Sequence, residues 1–328
     1  MPTIVTGGAG FIGSNLVDRL LADGREVIAV DNLDPYYAPA RKRANLAGAA
    51  RSPRFRLAEL DIRDGDAVRR LVADARPDSI VHLAARAGVR PSIDDPSGYA
   101  EVNVVGTVHL LDAACRLPGR PRFVYASSSS VYGDRPDAPF RESDPVDRPV
   151  SPYAATKRAS ELMAATFHHL HGLPATGLRL FTAYGPRNRP DLAVARFAGL
   201  IDRGEPVPMF GDGGTMRDYT YVDDIVDGII RAVDRADGLH LYNLGHAAPV
   251  ALRDMIAALG EALGKAVRIQ VLPEQPGDVR KTHADIALAR AELGYDPATP
   301  LRDGLARFVD WYRSEGRQDG PSPRPDLT

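Results

Sequence analysis

The sequence predicts a doubly wound α/β fold built on a parallel sheet, and three observations carry that expectation. Short runs rich in Val, Ile and Leu alternate with helix-period segments through the first 180 residues. Those runs are apolar enough to be buried strands, as parallel strands covered by helices must be. A glycine-rich turn follows the first run and opens the first helix.

Taken in order, the predicted strands are residues 3–6, 27–30, 55–58, 80–83, 123–126 and 176–180. Between them, Ile12, Leu16 and Leu20 share one helical face, as do Val102, Val105 and the region around Leu111. This alternation calls for right-handed crossovers. After Leu180 it loosens, with breaks at Gly185-Pro186, Gly204-Glu205-Pro206 and Gly211–Gly214. A helix is expected at 223–233 and a strand at 239–244 that rejoins the main sheet. Asp223-Asp224 reads as a helix cap rather than an acid pair. Leu301, Leu305, Phe308 and Tyr312 mark a last helix, and the tail from about Glu315 is expected to fray. The expected division is a Rossmann domain of residues 1–180 plus 223–247. A smaller, discontinuous α/β substrate domain takes 181–222 plus 248–315, and 316–328 form a flexible tail.

The balance of charge narrows the function. With 328 residues, 41 Lys and Arg, and 43 Asp and Glu, the net charge is −2. Neutralising a phosphate backbone needs a basic excess, so nucleic acid is not an expected partner. Cys115 is the only cysteine, which excludes an intrachain disulfide and argues against a cysteine-based zinc site. His168, His169 and His171 read as helix surface, and no metal is expected. The first strand starts at once, without a signal-peptide pattern, and no apolar run approaches about 18 residues. A cytoplasmic location away from membranes is the expectation.

Gly7-Gly8-Ala9-Gly10-Phe11-Ile12-Gly13 sits between the first strand and first helix. Gly7 permits the tight turn, Gly10 lets backbone approach a pyrophosphate, and Gly13 lets helix pack on strand. The helix N-terminus adds unpaired N–H groups and partial positive charge. Asp31 ends the second strand, where a carboxylate bonds both ribose hydroxyls of adenosine and repels a 2′-phosphate. NAD is therefore favoured over NADP, with Arg41, Lys42 and Arg43 read as a solvated helix face. Asp61-Ile62 is placed to hold adenine, or else to cap a helix.

Tyr153 and Lys157 stand four apart, on one face of a helix. A free phenol has a pKa of about 10 and needs a nearby cation to act as a base at neutral pH. Upstream, Ser127-Ser128-Ser129-Ser130-Val131-Tyr132-Gly133 follows the fifth strand, at the sheet edge where such folds bind ligands. A hydroxyl there can share a substrate proton with Tyr153.

These motifs make the chain resemble an extended short-chain dehydrogenase/reductase of the nucleotide-sugar epimerase/dehydratase family, over residues 1–315. His82-Leu83-Ala84-Ala85, Asn32, Asn103, the run 217–224 (Arg-Asp-Tyr-Thr-Tyr-Val-Asp-Asp) and Pro276-Gly277-Asp278-Val279 add to the likeness. The resemblance implies a triad of Ser128, Tyr153 and Lys157. It implies NAD contacts at Phe11, Ile12, Asn32, Leu83, Ala84, Ala85 and Asn103, alongside Gly7, Gly10, Gly13, Asp31, Asp61, Ile62, Tyr153 and Lys157. For a UDP-sugar it implies Arg90, Ser128, Ser129, Thr182, Arg189, Phe210, Arg217 and Asp278. It also implies a homodimer, formed as a four-helix bundle by the helices near 101–116 and 153–171.

Family dehydratases carry an acidic pair before Val-Tyr-Gly, and the decarboxylases a glutamate; this chain has Ser129-Ser130. Both reactions thereby lose their proton shuttle. Thr182 follows Arg179-Leu180-Phe181 where epimerases of neutral UDP-hexoses resemble one another in an asparagine. With Asp31–Tyr37 and Ala87–Arg90, that run looks most like UDP-glucuronate 4-epimerases, with UDP-glucose the alternative substrate. Thr182, Ser128 and Ser129 would hold the C6 carboxylate, while Arg189, Arg217 and Asp278 hold the nucleotide part. Gln275 stands where the family often has an arginine, a contact expected to weaken or to pass to Arg280.

Overall fold

The alternation of the first half folds into one parallel sheet in the computed structural model, which describes residues 1–273 and 280–317. In chain order the strands are β1 (Thr3–Thr6), β2 (Val27–Asp31), β3 (Phe55–Glu59), β4 (Ser79–His82), β5 (Arg122–Ser128), β6 (Ala175–Leu180), β7 (Thr182–Tyr184), β8 (Val207–Phe210), β9 (Met216–Arg217), β10 (Tyr219–Tyr221), β11 (Leu239–Leu244), β12 (Val250–Ala251) and β13 (Ile269–Leu272). Seven form the main sheet in the order β11-β6-β5-β4-β1-β2-β3, every adjacent pair parallel. The chain winds one way from β1 to β3 and the other way from β4 onward. The crevice outside the carboxyl ends of β1 and β4 is thus the switch point.

Helices Phe11–Ala22 and Val222–Arg235 cover one face. Helices Gly65–Ala75, Gly106–Cys115 and Pro152–His171 cover the other. Helix Pro152–His171 has local reasons to start and stop where it does. Ser151 Oγ accepts from the Ala154 amide at 3.1 Å, Pro152 opens the first turn, and Gly172 ends it at φ 65°. Strand β11 rejoins the sheet beside β6 as expected.

Three details differ from the sequence reading. Strand β5 runs on to Ser128, so the hydroxyl sits at the strand's own end. A π turn, Glu101–Val105, precedes helix Gly106–Cys115 and holds Asn103. Residues 316 and 317 are held: Gly316 is buried, its carbonyl accepts from Arg41 at 2.8 Å, and exposed Arg317 pairs with Asp202 at 2.9 Å. The remaining tail lies outside the described residues.

Beyond β6 the chain forms three two-stranded pieces, β7 with β10, β9 with β12 and β8 with β13. Asp223 and Asp224 lie in the first turn of helix Val222–Arg235, whose cap position is Tyr221. Asp224 instead accepts from the Ala298 and Thr299 amides at 3.3 and 3.2 Å. Among the described residues no helix is long and apolar enough to cross a membrane.

Candidate active site

A cavity of about 920 Å³ opens along the carboxyl ends of the central strands. One end is the glycine turn. Gly7 sits at φ 69°, and a Cβ there would lie 2.8 Å from the Ala84 amide nitrogen. A Cβ on Gly13 would stand 2.1 Å from the Gly7 carbonyl oxygen, so only glycine lets this helix meet the strand. Gly10, Phe11 and Ile12 complete this wall.

Asp31 and Asn32 lie farther along the same wall. Asp31 accepts from the Ala9 amide at 3.1 Å and the Leu33 amide at 2.8 Å, which ties the strand end to the glycine turn. Lys42 Nζ stands 3.4 Å from it and is buried. Reading the basic triplet as a solvated face was therefore wrong for Lys42. Leu46, which caps the end of its helix, and Ala49, in the 3-10 turn that follows, are buried as well. Asp61 and Ile62 line the cavity, and Asp64 rather than Asp61 caps the next helix. Arg63, bonded through its guanidinium and its backbone amide, holds the Asp61 carboxyl down at about 2, with Asn32 Nδ2 adding a bond at 2.9 Å.

Leu83, Ala84 and Ala85 cross the mouth of β4 and line the middle of the cavity. Beneath them His82 is buried between Thr6 Oγ1 (2.7 Å) and Thr107 Oγ1 (2.9 Å), and burial pushes its pKa down to about 3. Asn103 does not reach the cavity. It binds the Arg86 backbone twice, at 2.8 and 2.9 Å, and the Thr156 hydroxyl at 3.0 Å. Its place in the structure is behind the wall, shaping the 83–86 segment.

Ser128, Ser129, Tyr153 and Lys157 meet where the cavity turns from the glycine end. Burial pushes the Tyr153 phenol above its ordinary value, while a hydrogen bond with Ser128 and the charge of Arg189 pull it back. Lys157, whose pKa burial lowers to about 8, donates to the Ala126 carbonyl at 2.8 Å. Arg189 is one cation that draws the phenol's pKa down. Arg189 forms a fork to Asp191 at 3.0 and 2.6 Å; burial works against its charge, and that pairing outweighs it. Its guanidinium also lies 5.5 Å from the Tyr36 ring.

The far end of the cavity takes Arg90, Thr182 and Arg217. Arg196, missed in the sequence, joins them from helix Ala193–Asp202; burial and the nearby charge of Arg90 depress its pKa. Nothing in its local pattern sets it apart from a surface arginine. Phe210 stands back from the cavity and packs under Arg90, ring to guanidinium carbon 5.7 Å. Arg280 is exposed, whereas Thr282 lines the cavity. Asp278 and Gln275 lie outside the described residues.

A dinucleotide cradle, a tyrosine–serine–lysine cluster and an arginine-rich far end therefore share one cavity. The family model described as the NAD dependent epimerase/dehydratase family matches residues 3–245. UDP-glucuronate 4-epimerase 4 of Arabidopsis thaliana is 42% identical over 328 residues, covering 95% of this chain and 75% of that one. The crystal structure of UDP-glucuronic acid 4-epimerase from Bacillus cereus, in complex with UDP-glucuronic acid and NAD, superposes with a TM-score of 0.89 at 34% identity, covering 95% of this chain and 99% of that one. UDP-glucose 4-epimerase from Thermotoga maritima, with UDP-glucose, gives 0.88 at 34% identity over the same shares. The chain belongs to the NAD dependent epimerase/dehydratase family.

Proposed function

We propose that the protein is a UDP-glucuronate 4-epimerase that interconverts UDP-glucuronate and UDP-galacturonate with NAD held through the cycle. The observation that carries the sugar assignment is Thr182, which lines the same cavity as Ser128, Ser129 and Tyr153. A C6 carboxylate needs several donors, and three hydroxyls supply them beside the phenol. The uronate and glucose epimerase structures are equally identical to this chain, so the sugar is decided by such residues rather than by overall likeness.

The cradle fits the cofactor: the positions where a Cβ would collide are those a dinucleotide backbone approach requires, and Asp31 stands at the ribose position. Gly7–Gly13, Asp31, Asn32, Asp61, Ile62 and Leu83–Ala85 would hold it, with Lys157 reaching its ribose. The chemistry that bound NAD supplies is reversible hydride acceptance at C4. Tyr153 takes the O4 proton, Ser128 shares it, and Arg189 keeps the phenolate accessible. Arg217, Arg90 and, beyond the described residues, Asp278 bind the UDP part. The hydroxyl cluster keeps the C5–C6 bond in the plane of the 4-ketone, which suppresses loss of carbon dioxide from that β-keto acid. Serines at 129 and 130 leave no acid–base pair for dehydration.

The remaining readings are finer. We read residues 1–180 plus 223–247 as the NAD-binding domain and 181–222 plus 248–315 as the UDP-sugar domain. A homodimer is supported by exposed Val105 and Leu162 on the adjoining 101–115 and 152–171 helices. A single cysteine suits a reducing cytoplasm. The deciding experiment incubates the purified protein, without added cofactor, with UDP-glucuronate, UDP-glucose and UDP-N-acetylglucosamine, and follows the anomeric NMR signals. UDP-glucuronate should convert fastest; equal or faster conversion of UDP-glucose would replace the assignment.

A further inference from the structure

Tyr153, Lys157 and Glu161 repeat every fourth residue along helix Pro152–His171, so one face turns all three toward β5. Three consecutive strand positions receive them. Lys157 Nζ donates to the Ala126 carbonyl at 2.8 Å. Ser127 Oγ donates to Glu161 Oε1 at 2.6 Å. Ser128, at the end of β5, lines the cavity with Tyr153 and draws the phenol's pKa down, while its Oγ donates to Ser130 Oγ at 3.2 Å. Glu161 is then fixed from the other side by Arg179 of β6, whose Nε and Nη2 donate to its two oxygens at 2.9 and 3.0 Å. Arg158 adds a bond at 2.8 Å. Arg179 lies 4.8 Å from the Tyr132 ring and donates to the Glu142 carbonyl at 3.3 Å, which anchors the turn after β5 as well.

Both partners are nearly inaccessible, Glu161 at 4% and Arg179 at 1% exposure. A buried ion pair is a poor stabiliser, because desolvation offsets most of its attraction and an apolar pair of similar volume often does as well. What such a pair does supply is fixed geometry, through bonds whose directions are set by a planar fork.

We propose that Glu161 and Arg179 are positioning residues of the reaction: their ion pair fixes the register of the Tyr153–Lys157 helix against β5 and so sets the Tyr153 phenol beside the Ser128 end of that strand. The inference rests on Tyr153 being the base. It does not depend on which sugar is used, so the assays take whichever UDP-sugar the wild type turns over.

The first variant replaces the pair with apolar side chains, Glu161→Leu with Arg179→Met. It should fold, keep its NAD and keep KM within about threefold, yet lose about tenfold or more in kcat, as misplaced reacting groups do. The second, Ser127→Ala, leaves the ion pair in place and should lose about threefold in kcat with KM unchanged. Repeated in a Tyr153→Phe background, both losses should vanish, because a positioning residue has nothing left to position. Wild-type kcat in the paired variant overturns the proposal, and so does a loss that persists undiminished in the Tyr153→Phe background. If the paired variant does not fold, Ser127→Ala decides alone, and unchanged kcat there overturns the proposal too. Full activity of Tyr153→Phe itself would instead remove the base, a separate failure.

Discussion

The two ends of the cavity are built on opposite plans. The cofactor end comes from the first 85 residues, and its polar groups are held by neighbours close in sequence or on the next strand. Asp31 takes the Ala9 and Leu33 amides, and Asp61 takes Arg63. The sugar end gathers Arg90, Ser128, Thr182, Arg189 and Arg217 from separate segments. Its scaffold is long-range: buried Asp218 accepts from the His246, Ala247 and Ala284 amides at 2.7, 3.1 and 2.9 Å. A change at the cofactor end should therefore act on every sugar alike, while the far end can discriminate.

The sharpest way to break that contrast is at the junction. Tyr153→Phe should fold and retain NAD but lose about 10²-fold or more in turnover on every substrate; near-normal turnover would move the base elsewhere. Gly13→Ala drives a methyl to 2.1 Å from the Gly7 carbonyl oxygen. It should cost about 1–3 kcal/mol and release NAD from the purified protein. Full NAD content with an unchanged melting temperature would show that the turn can relax. Arg217→Ala should raise KM about tenfold for all UDP-sugars equally, with NAD content intact; an effect on one sugar alone contradicts its place on the nucleotide. Thr182→Ala should slow only the uronate, by about fivefold, and release UDP-pentose. Equal slowing of UDP-glucose would make Thr182 a mere strand-end residue.

The smallest effect is one of pH. Burial lowers Lys157 to about 8, against about 10.4 in an unfolded chain. Between those values the unfolded state binds the extra proton, so this group's contribution rises with pH and is least favourable below the lower one. The melting temperature of the wild type should therefore gain on that of Lys157→Met between about pH 8 and about pH 10. A constant difference would mean that the ammonium is solvated.

Legibility followed the same division. Strand–turn–helix units are short-range, so β1, β2 and the glycine turn could be read from runs and spacing, and Asp31 fell at the strand end where it was expected. Lys42 was misread because its partner, Asp31 at the end of β2, is brought to it only by the fold. At the far end, Thr182, Arg189 and Arg217 were found through family likeness, not periodicity. Arg196 and the Glu161–Arg179 pair carried no local mark: their meaning comes from segments that meet only after folding. The π turn at Glu101–Val105 was invisible for the same reason, since Asn103 bonds to Arg86 and Thr156 across other elements.

Strand β11 has a consequence for synthesis. It closes the sheet against β6, yet residues 181–238 leave the ribosome before it is complete. A nascent chain that has emerged through β6 carries the parallel sheet with one buried-type edge open, its row of amides and carbonyls unpaired. The backbone of β6 that will pair with Leu239–Leu244 of β11 is open to other chains for that interval. Truncated products ending between β6 and β11 are thus the ones expected to aggregate, and insertions in that stretch lengthen the hazard. The arrival of the seventh strand ends that aggregation hazard.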